Sequence, residues 1–298
     1  VTTGIRRFLH AAGEPPDVPV DWTSEGGTIM RYARALAAIA VAAALALGCD
    51  DSGPTGTEPG AEEFDWSGVI ARGDRIEIKN ISGTTRASLA SGNEVLVHAT
   101  KTGKDSDPAS VTIAVVRHAE GVTICAVYPD VPGHAPNECL PGLAGSMSTR
   151  DNDVSVEFTL SVPAGVQFVS RVLSGDVAAE GLESDVFVSA VRGDITVTTT
   201  RVAEAVSTYG SLNVTIGWAD PSRDLAYRTV SGNVNVRIPV NTNAEVLATT
   251  TYGAIASEFH LEGTRYMKTG TLGGGGPRLT LSTIDGNVNL REGPAARP

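Results

Sequence analysis

The chain has 298 residues, 41% hydrophobic and only 19% charged, with 33 glycines and a formal net charge of −11. Its wealth of Val, Thr, Ala and Ser favours β-structure over helix bundles. A field of that sign, with no basic stripe carrying interleaved aromatics, excludes nucleic acid as a partner and argues against an electrostatic hold on anionic lipid. The acidity reads as solubility through like-charge repulsion.

Residues 1–29 carry Pro15, Pro16 and Pro19 among mixed charges, with no apolar periodicity. They read as an extension that is disordered or never made, with Met30 as the true start. Met30-Arg31-Tyr32-Ala33-Arg34 and the apolar run 35–47 predict a signal peptide over residues 30–48, its core too short for a comfortable membrane span. The run ends Leu45-Ala46-Leu47-Gly48-Cys49, which resembles the lipobox of bacterial lipoproteins, although Ala46 stands where leucine is usual. That resemblance implies cleavage before Cys49 and a diacylglycerol on its thiol. A membrane partner and a place in the bacterial cell envelope, facing periplasm or exterior, follow from it. Residues 50–63 are built of Gly, Pro, Ser, Thr, Asp and Glu with one Ala. Residues 49–63 therefore read as the anchor cysteine and a flexible linker. Asp50 resembles the inner-membrane retention signal of enteric lipoproteins. Removing the first 48 residues takes away four basic and four acidic side chains, so the net charge stays −11.

Residues 64–150 hold strand patterns without a clean repeat: Ile76 and Ile78; Val95 and Val97; Val111, Ile113 and Val115; Val122, Ile124 and Ala126. They predict a mostly antiparallel β cap for the N-terminal end of the repeats that follow, since an open terminal coil offers a bare edge. Gly83 trails Ile76 and Ile78 by seven and five residues, a faint first copy of the repeat phrase. Cys125 and Cys139 bracket a Pro- and Gly-rich segment. With Cys49 lipidated they are the remaining even pair, in a compartment where disulfides persist. They read as a structural disulfide worth roughly 3 kcal/mol in the chain-entropy picture. Metal binding with His118 or His134 is the rival role, and no CxxC knuckle supports it.

Residues 151–293 carry one phrase six times, around Gly175, Gly193, Gly210, Gly232, Gly253 and Gly286, at separations of 18, 17, 22, 21 and 33. Two positions after each glycine stands Val177, Ile195, Leu212, Val234, Ile255 or Val288. Seven positions before stands Phe168, Val186, Ala203, Leu225, Val246 or Leu279. This is period-2 patterning on both sides of a turn, repeated near every twentieth residue. A lone coil of this kind cannot bury its apolar face, so stacking must supply the core. The fold class expected is all-β: a single-stranded parallel β-solenoid, β-helix or β-roll-like, behind the antiparallel cap. Residues 294–298 read as a disordered tail.

The lead-in Val162-Pro163-Ala164-Gly165, the phrases Ser174-Gly175-Asp176-Val177 and Ser231-Gly232-Asn233-Val234, and the closing Gly274-Gly275-Gly276-Pro277 together resemble a bacterial family named putative adhesin, a domain of unknown function. The resemblance covers about residues 70–292. It implies the solenoid fold far more than a function, and it carries no active site with it.

Asp176, Asp194 and Asp285 are the carboxylates that a polysaccharide-cleaving β-helix could use, because that chemistry needs two of them across one cleft. Asp176 and Asp194 follow turn glycines, where Asp commonly makes local hydrogen bonds, and the same column continues as Ser211, Asn233 and Ala254. Turn chemistry is the stronger reading. The histidines are scattered, no cofactor is implied, and Gly273–Gly276 lacks the following helix of a phosphate cradle and reads as a flexible loop. Two insertions are the candidate binding loops: residues 217–224 with Trp218 and Arg223, and residues 258–277 with Arg265 and Tyr266. Covering the solenoid's side is the competing role for their aromatics. The expectation is a secreted, lipid-anchored, non-enzymatic, adhesin-like protein presenting a binding or structural surface to an envelope protein or glycan. A polysaccharide-active enzyme and an accessory protein of an envelope-stress system are the alternatives.

Overall fold

The structure, a computed structural model, describes residues 62–294. The N-terminal extension, the signal, Cys49 and nearly all of the linker lie outside the described residues, as do residues 295–298. Apart from a 3-10 turn at Pro108–Ser110, the regular structure described is all strand.

The first strands are β1 (Glu62–Val69), β2 (Arg75–Ser82), β3 (Thr85–Leu89), β4 (Glu94–Thr102), β5 (Thr112–His118) and β6 (Gly121–Val127). After the cysteine-bracketed insertion, β7 (Ser155–Val162) leads into strand pairs, each split by a glycine corner. These are β8 (Gln167–Ser174) with β9 (Val177–Leu182), β10 (Val186–Arg192) with β11 (Ile195–Thr199), and β12 (Ala203–Tyr209) with β13 (Leu212–Ile216). Then come β14 (Leu225–Arg228) with β15 (Val234–Pro239), and β16 (Ala244–Tyr252) with β17 (Ile255–Ser257). A hairpin, β18 (Glu262–Gly263) and β19 (Met267–Leu272), precedes the last pair, β20 (Arg278–Asp285) and β21 (Val288–Gly293).

Each pair puts one strand in each of two large, mostly parallel sheets. The first sheet runs β1-β4-β7-β3-β9-β11-β13-β15-β21-β17, and the second β18-β19-β16-β20-β14-β12-β10-β8-β2-β6-β5. The aliphatic residues two after the glycines stack in register as one inward column of the first sheet. Those seven before the glycines line the inward face of the second. Both columns are buried, and each Val, Leu or Ile so placed contributes roughly 1.5–3 kcal/mol of transfer free energy. The result is a solenoid-like, all-β repeat fold.

Two features depart from the order expected. First, β2 and β3 pair in parallel with β8 and β9, so the segment around Gly83 is itself a rung. Antiparallel pairing among residues 62–162 is confined to β1–β4, β4–β7 and β5–β6. The N-terminal region is therefore mixed, because the Ile76–Gly83 phrase carries the same inward spacing as the later copies.

Second, the rungs do not stack in chain order. The β20/β21 rung lies between β14/β15 and β16/β17, parallel to both. After β17 the chain returns as the β18–β19 hairpin, antiparallel on the far side of β16. The place beside β14 is thereby left for the last rung. Residues 273–277 make this crossover beside Asn243. The Gly274 N–H donates to Asn243 Oδ1 at 2.7 Å, and a Cβ on Gly273 would stand 2.2 Å from that same oxygen.

At the corners the rungs approach too closely for side chains. Gly210 has φ of 153°, and a Cβ there would stand 1.9 Å from the Gly193 carbonyl oxygen. Gly210→Ala should cost roughly 3 kcal/mol from combined strain and overpacking. Gly92→Ala, in open space, should stay within about 0.5 kcal/mol of wild type. Urea denaturation at constant m-value measures both.

Two buried tyrosines make a pH prediction. Burial pushes the Tyr128 hydroxyl up to about 12, and its proton is donated to the Val154 carbonyl at 2.7 Å. Tyr227 is fully buried and is pushed up by burial, with Glu204 adding to the shift and Arg223 opposing it. A raised folded pKa stabilises the protein below the unfolded value near 10, and that contribution is lost as pH climbs through 10 to 12. Circular dichroism should show denaturant stability falling across that window, with a shallower fall in Tyr128→Phe.

Candidate functional site

The corner carboxylates Asp176 and Asp194 each accept a backbone hydrogen bond from the adjacent rung. The Asp194 N–H donates to Asp176 Oδ1 at 2.8 Å, and the Ser211 N–H to Asp194 Oδ1 at 2.7 Å. The same link continues from Asn287 N to Asn233 Oδ1 and from Ala254 N to Asn287 Oδ1, both 2.9 Å. Asp176, Asp194, Asn233 and Asn287 thus each cap a backbone donor of the next rung, and the column ends at Ala254, in the spatial order 233, 287, 254. Asp285 precedes its glycine and so stands outside this column.

The tips of the two insertions lie apart, Trp218 and Arg223 between β13 and β14 and Arg265 and Tyr266 at a glycine corner. Their bases meet at Asn243, which donates to Asp220 Oδ1 and accepts from the Gly274 N–H. Residues 217–224 link β13 to β14, where Arg201 stacks on Trp218 at 4.1 Å and the indole N–H donates to the Asp220 carbonyl at 2.9 Å. Arg223 stacks on Phe187 at 4.4 Å and pairs with Glu204. In the other loop Arg265 donates from Nε to the Gly253 carbonyl at 3.0 Å, at the glycine corner, beside the half-exposed Tyr266.

Cys125 and Cys139 are joined in a disulfide with Cα atoms 5.6 Å apart. It fastens the insertion over the outer face of the second sheet. Beneath it sits a buried polar cluster that the sequence reading missed. Glu77 accepts from Arg171 Nε at 2.8 Å, Thr123 Oγ1 at 3.0 Å and Gly142 N at 2.8 Å. Lys79 donates to the Leu140 and Ala144 carbonyls. Burial pushes the Lys79 ammonium below its ordinary value, with Glu77 opposing and Arg171 adding to the shift. Glu77 and Lys79 pin the insertion through Gly142, Leu140 and Ala144, while Arg171 pairs with Glu77 and stays partly exposed.

An open site lies on the outer face of the first sheet. Residues three after the glycines face outward in one column: Thr196, Asn213, Asn235 and Asn289. Residues five after form the next: Thr198, Thr215, Arg237 and Arg291. The asparagines make a ladder, Asn235 Nδ2 to Asn213 Oδ1 at 3.0 Å and Asn289 Nδ2 to Asn235 Oδ1 at 2.8 Å. A hollow of about 300 Å³ lies over these columns, and an adjoining one of about 310 Å³ shares Thr198 and Thr215 with it and runs toward Gly217 and Pro294. Sequence spacing carried a signal for this face, since Asn213, Asn235 and Asn289 recur at one offset. The arginines two residues on were not singled out. Chemically the face offers hydroxyls, amides and guanidinium groups, with one carboxylate, Glu183, in the adjoining hollow.

Residues 144–291 match the family described as Toastrack DUF4097. No curated protein matches the chain. Among solved structures, a putative cell adhesion protein from Clostridium sporogenes is similar at 11% identity over 78% of this chain and 100% of its own, with a TM-score of 0.43. A putative adhesin from Bacteroides fragilis matches at 12% identity, 80% and 100% coverage and a TM-score of 0.35. A putative lipid binding protein from Parabacteroides distasonis matches at 12% identity, 77% and 96% coverage and a TM-score of 0.26.

The capping role of the corner carboxylates separates two substitutions. Asp194→Asn should leave stability near wild type, because Asn233 and Asn287 perform the same link in other rungs. Asp194→Ala should lose about 1 kcal/mol in thermal or urea unfolding.

Proposed function

We propose that the protein, whose residues 144–291 match the Toastrack DUF4097 family, is a non-enzymatic, adhesin-like binding scaffold of the bacterial cell envelope. The observation that carries this reading is the grooved outer face of the first sheet, where two adjoining hollows lie over aligned Thr, Asn and Arg columns. Side chains on a rigid parallel stack keep their spacing without a ligand, so little ordering entropy is lost on binding. In this reading the molecule is one chain coiled as a parallel solenoid, with the antiparallel strands β1, β4 and β5 closing one end and β18 and β19 the other. A lipid on Cys49 holds the scaffold at the membrane and residues 50–63 let it stand clear, as the signal-like run and the lipobox-like Leu45–Cys49 support. The corner carboxylates are occupied in backbone capping, which favours binding over polysaccharide cleavage.

Two measurements test the reading. Radiolabelled palmitate should enter the chain and be lost in Cys49→Ser, with the protein moving from the membrane to the soluble fraction. Immobilised Cys49→Ser chain should retain material from an envelope extract while releasing no reducing sugar from it. Sugar release abolished by Asp176→Asn/Asp194→Asn would instead establish an enzyme.

A further inference from the structure

We propose that the outer face of the first sheet binds an acidic polysaccharide, whose carboxylates are held by Arg237 and Arg291. This rests on the binding-scaffold reading and names its ligand class. Arg237 and Arg291 are direct cross-strand partners in β15 and β21, and both are exposed. Like charges placed opposite each other in a sheet are destabilising. Among the described residues neither guanidinium has a carboxylate partner, and Arg237 makes only a 3.3 Å donation to the Glu292 carbonyl. The hollow they flank is lined by no acidic residue, in a chain that carries 34 Asp and Glu. A stacked pair of forks in an acid-free hollow is a fixed hook for planar carboxylates, which arginine engages in bidentate fashion.

The neighbouring column supplies the rest of the recognition. Asn235 and Asn289 stand two residues before the arginines, and their ladder fixes the amide rotamers. An amide has two donor hydrogens and two acceptor lone pairs, so each ladder member keeps hydrogen-bonding capacity for a sugar hydroxyl. The rungs repeat at about 4.8 Å, similar to the length of one sugar unit in an extended chain. The hollow crosses β11, β13, β15 and β21 and is open, which suits a polymer lying along the stack over a small enclosed anion. Two cations on a chain of net charge −11 suit a polymer with one carboxylate per sugar unit and disfavour the closer-spaced charges of a polyphosphate.

The test is affinity electrophoresis and calorimetry of the full chain with polygalacturonate and with a mannuronate–guluronate polymer. Methyl-esterified polygalacturonate and polyphosphate serve as the neutral and the phosphate-bearing arms. The wild-type chain should bind at least one of the uronate polymers, at least tenfold more tightly than the ester or polyphosphate. Arg237→Gln/Arg291→Gln should weaken that binding at least tenfold while leaving urea stability unchanged or raised, because the like-charge pair is gone. Binding to neither uronate polymer, equal binding by the double variant, or a preference for the ester or polyphosphate would overturn the proposal. If the uronates fail while envelope extract is still retained, the ligand class is wrong and the scaffold reading stands. Failure of both removes both.

Discussion

The closeness of backbones at the glycine corners sets everything else in this molecule. Rungs meet there with no room for a Cβ, from Gly83 through Gly253. The carbonyls so crowded are also satisfied: Thr229 Oγ1 donates to the Gly210 oxygen at 2.9 Å, Thr283 Oγ1 to Gly232 at 2.9 Å, and Thr250 Oγ1 to Gly286 at 2.7 Å. A buried acceptor left unpaired would cost about 1–3 kcal/mol, so these threonines, three residues before their own glycines, belong to the same device. Once the corners are in register, period-2 alternation sends every second side chain inward and aligns the others on the surface. The outer face of aligned Thr, Asn and Arg columns is thus a by-product of the same register that builds the core.

Much of the architecture was legible because it rests on spacing alone. The inward columns through Ile195 and Val186 needed only a glycine and a count of residues, and burial then enforces them. Rung order was not legible, because the phrases at Gly253 and Gly286 are equivalent as local patterns. Nothing within either says which lies beside Gly232. That choice is made by the β18–β19 hairpin, whose weak alternation at residues 262–272 occupies the outer side of β16. The 33-residue gap and the four consecutive glycines at 273–276 were its trace in sequence.

The site was less legible than the fold for a related reason. Outward positions carry no burial pattern, so Arg237 and Arg291 look like ordinary solubilising residues until pairing places them side by side. Trp218 and Arg223 drew notice as residue types, yet their chemistry is spent inside the chain, on Arg201 and on Phe187 with Glu204. The disulfide could be read from cysteine arithmetic. The Glu77–Lys79–Arg171 cluster beneath it could not, because those residues sit on outward positions with no apolar pattern, and the insertion that buries Glu77 and Lys79 is remote in sequence.

The position of the final rung has a consequence for biogenesis. Strands β16 and β17 are synthesised before β20 and β21 yet stand one rung farther out, so a growing chain leaves a rung-wide slot with a raw edge on either side. Growth from the N-terminus alone cannot fill it. The last twenty or so residues slide in as a keystone, and each of their two strands completes backbone ladders on both flanks. A chain stopped before Arg278 would be a gapped wall, open to any extended peptide that happened by. Until residues 278–293 seat, β14, β15, β16 and β17 each keep an unpaired edge.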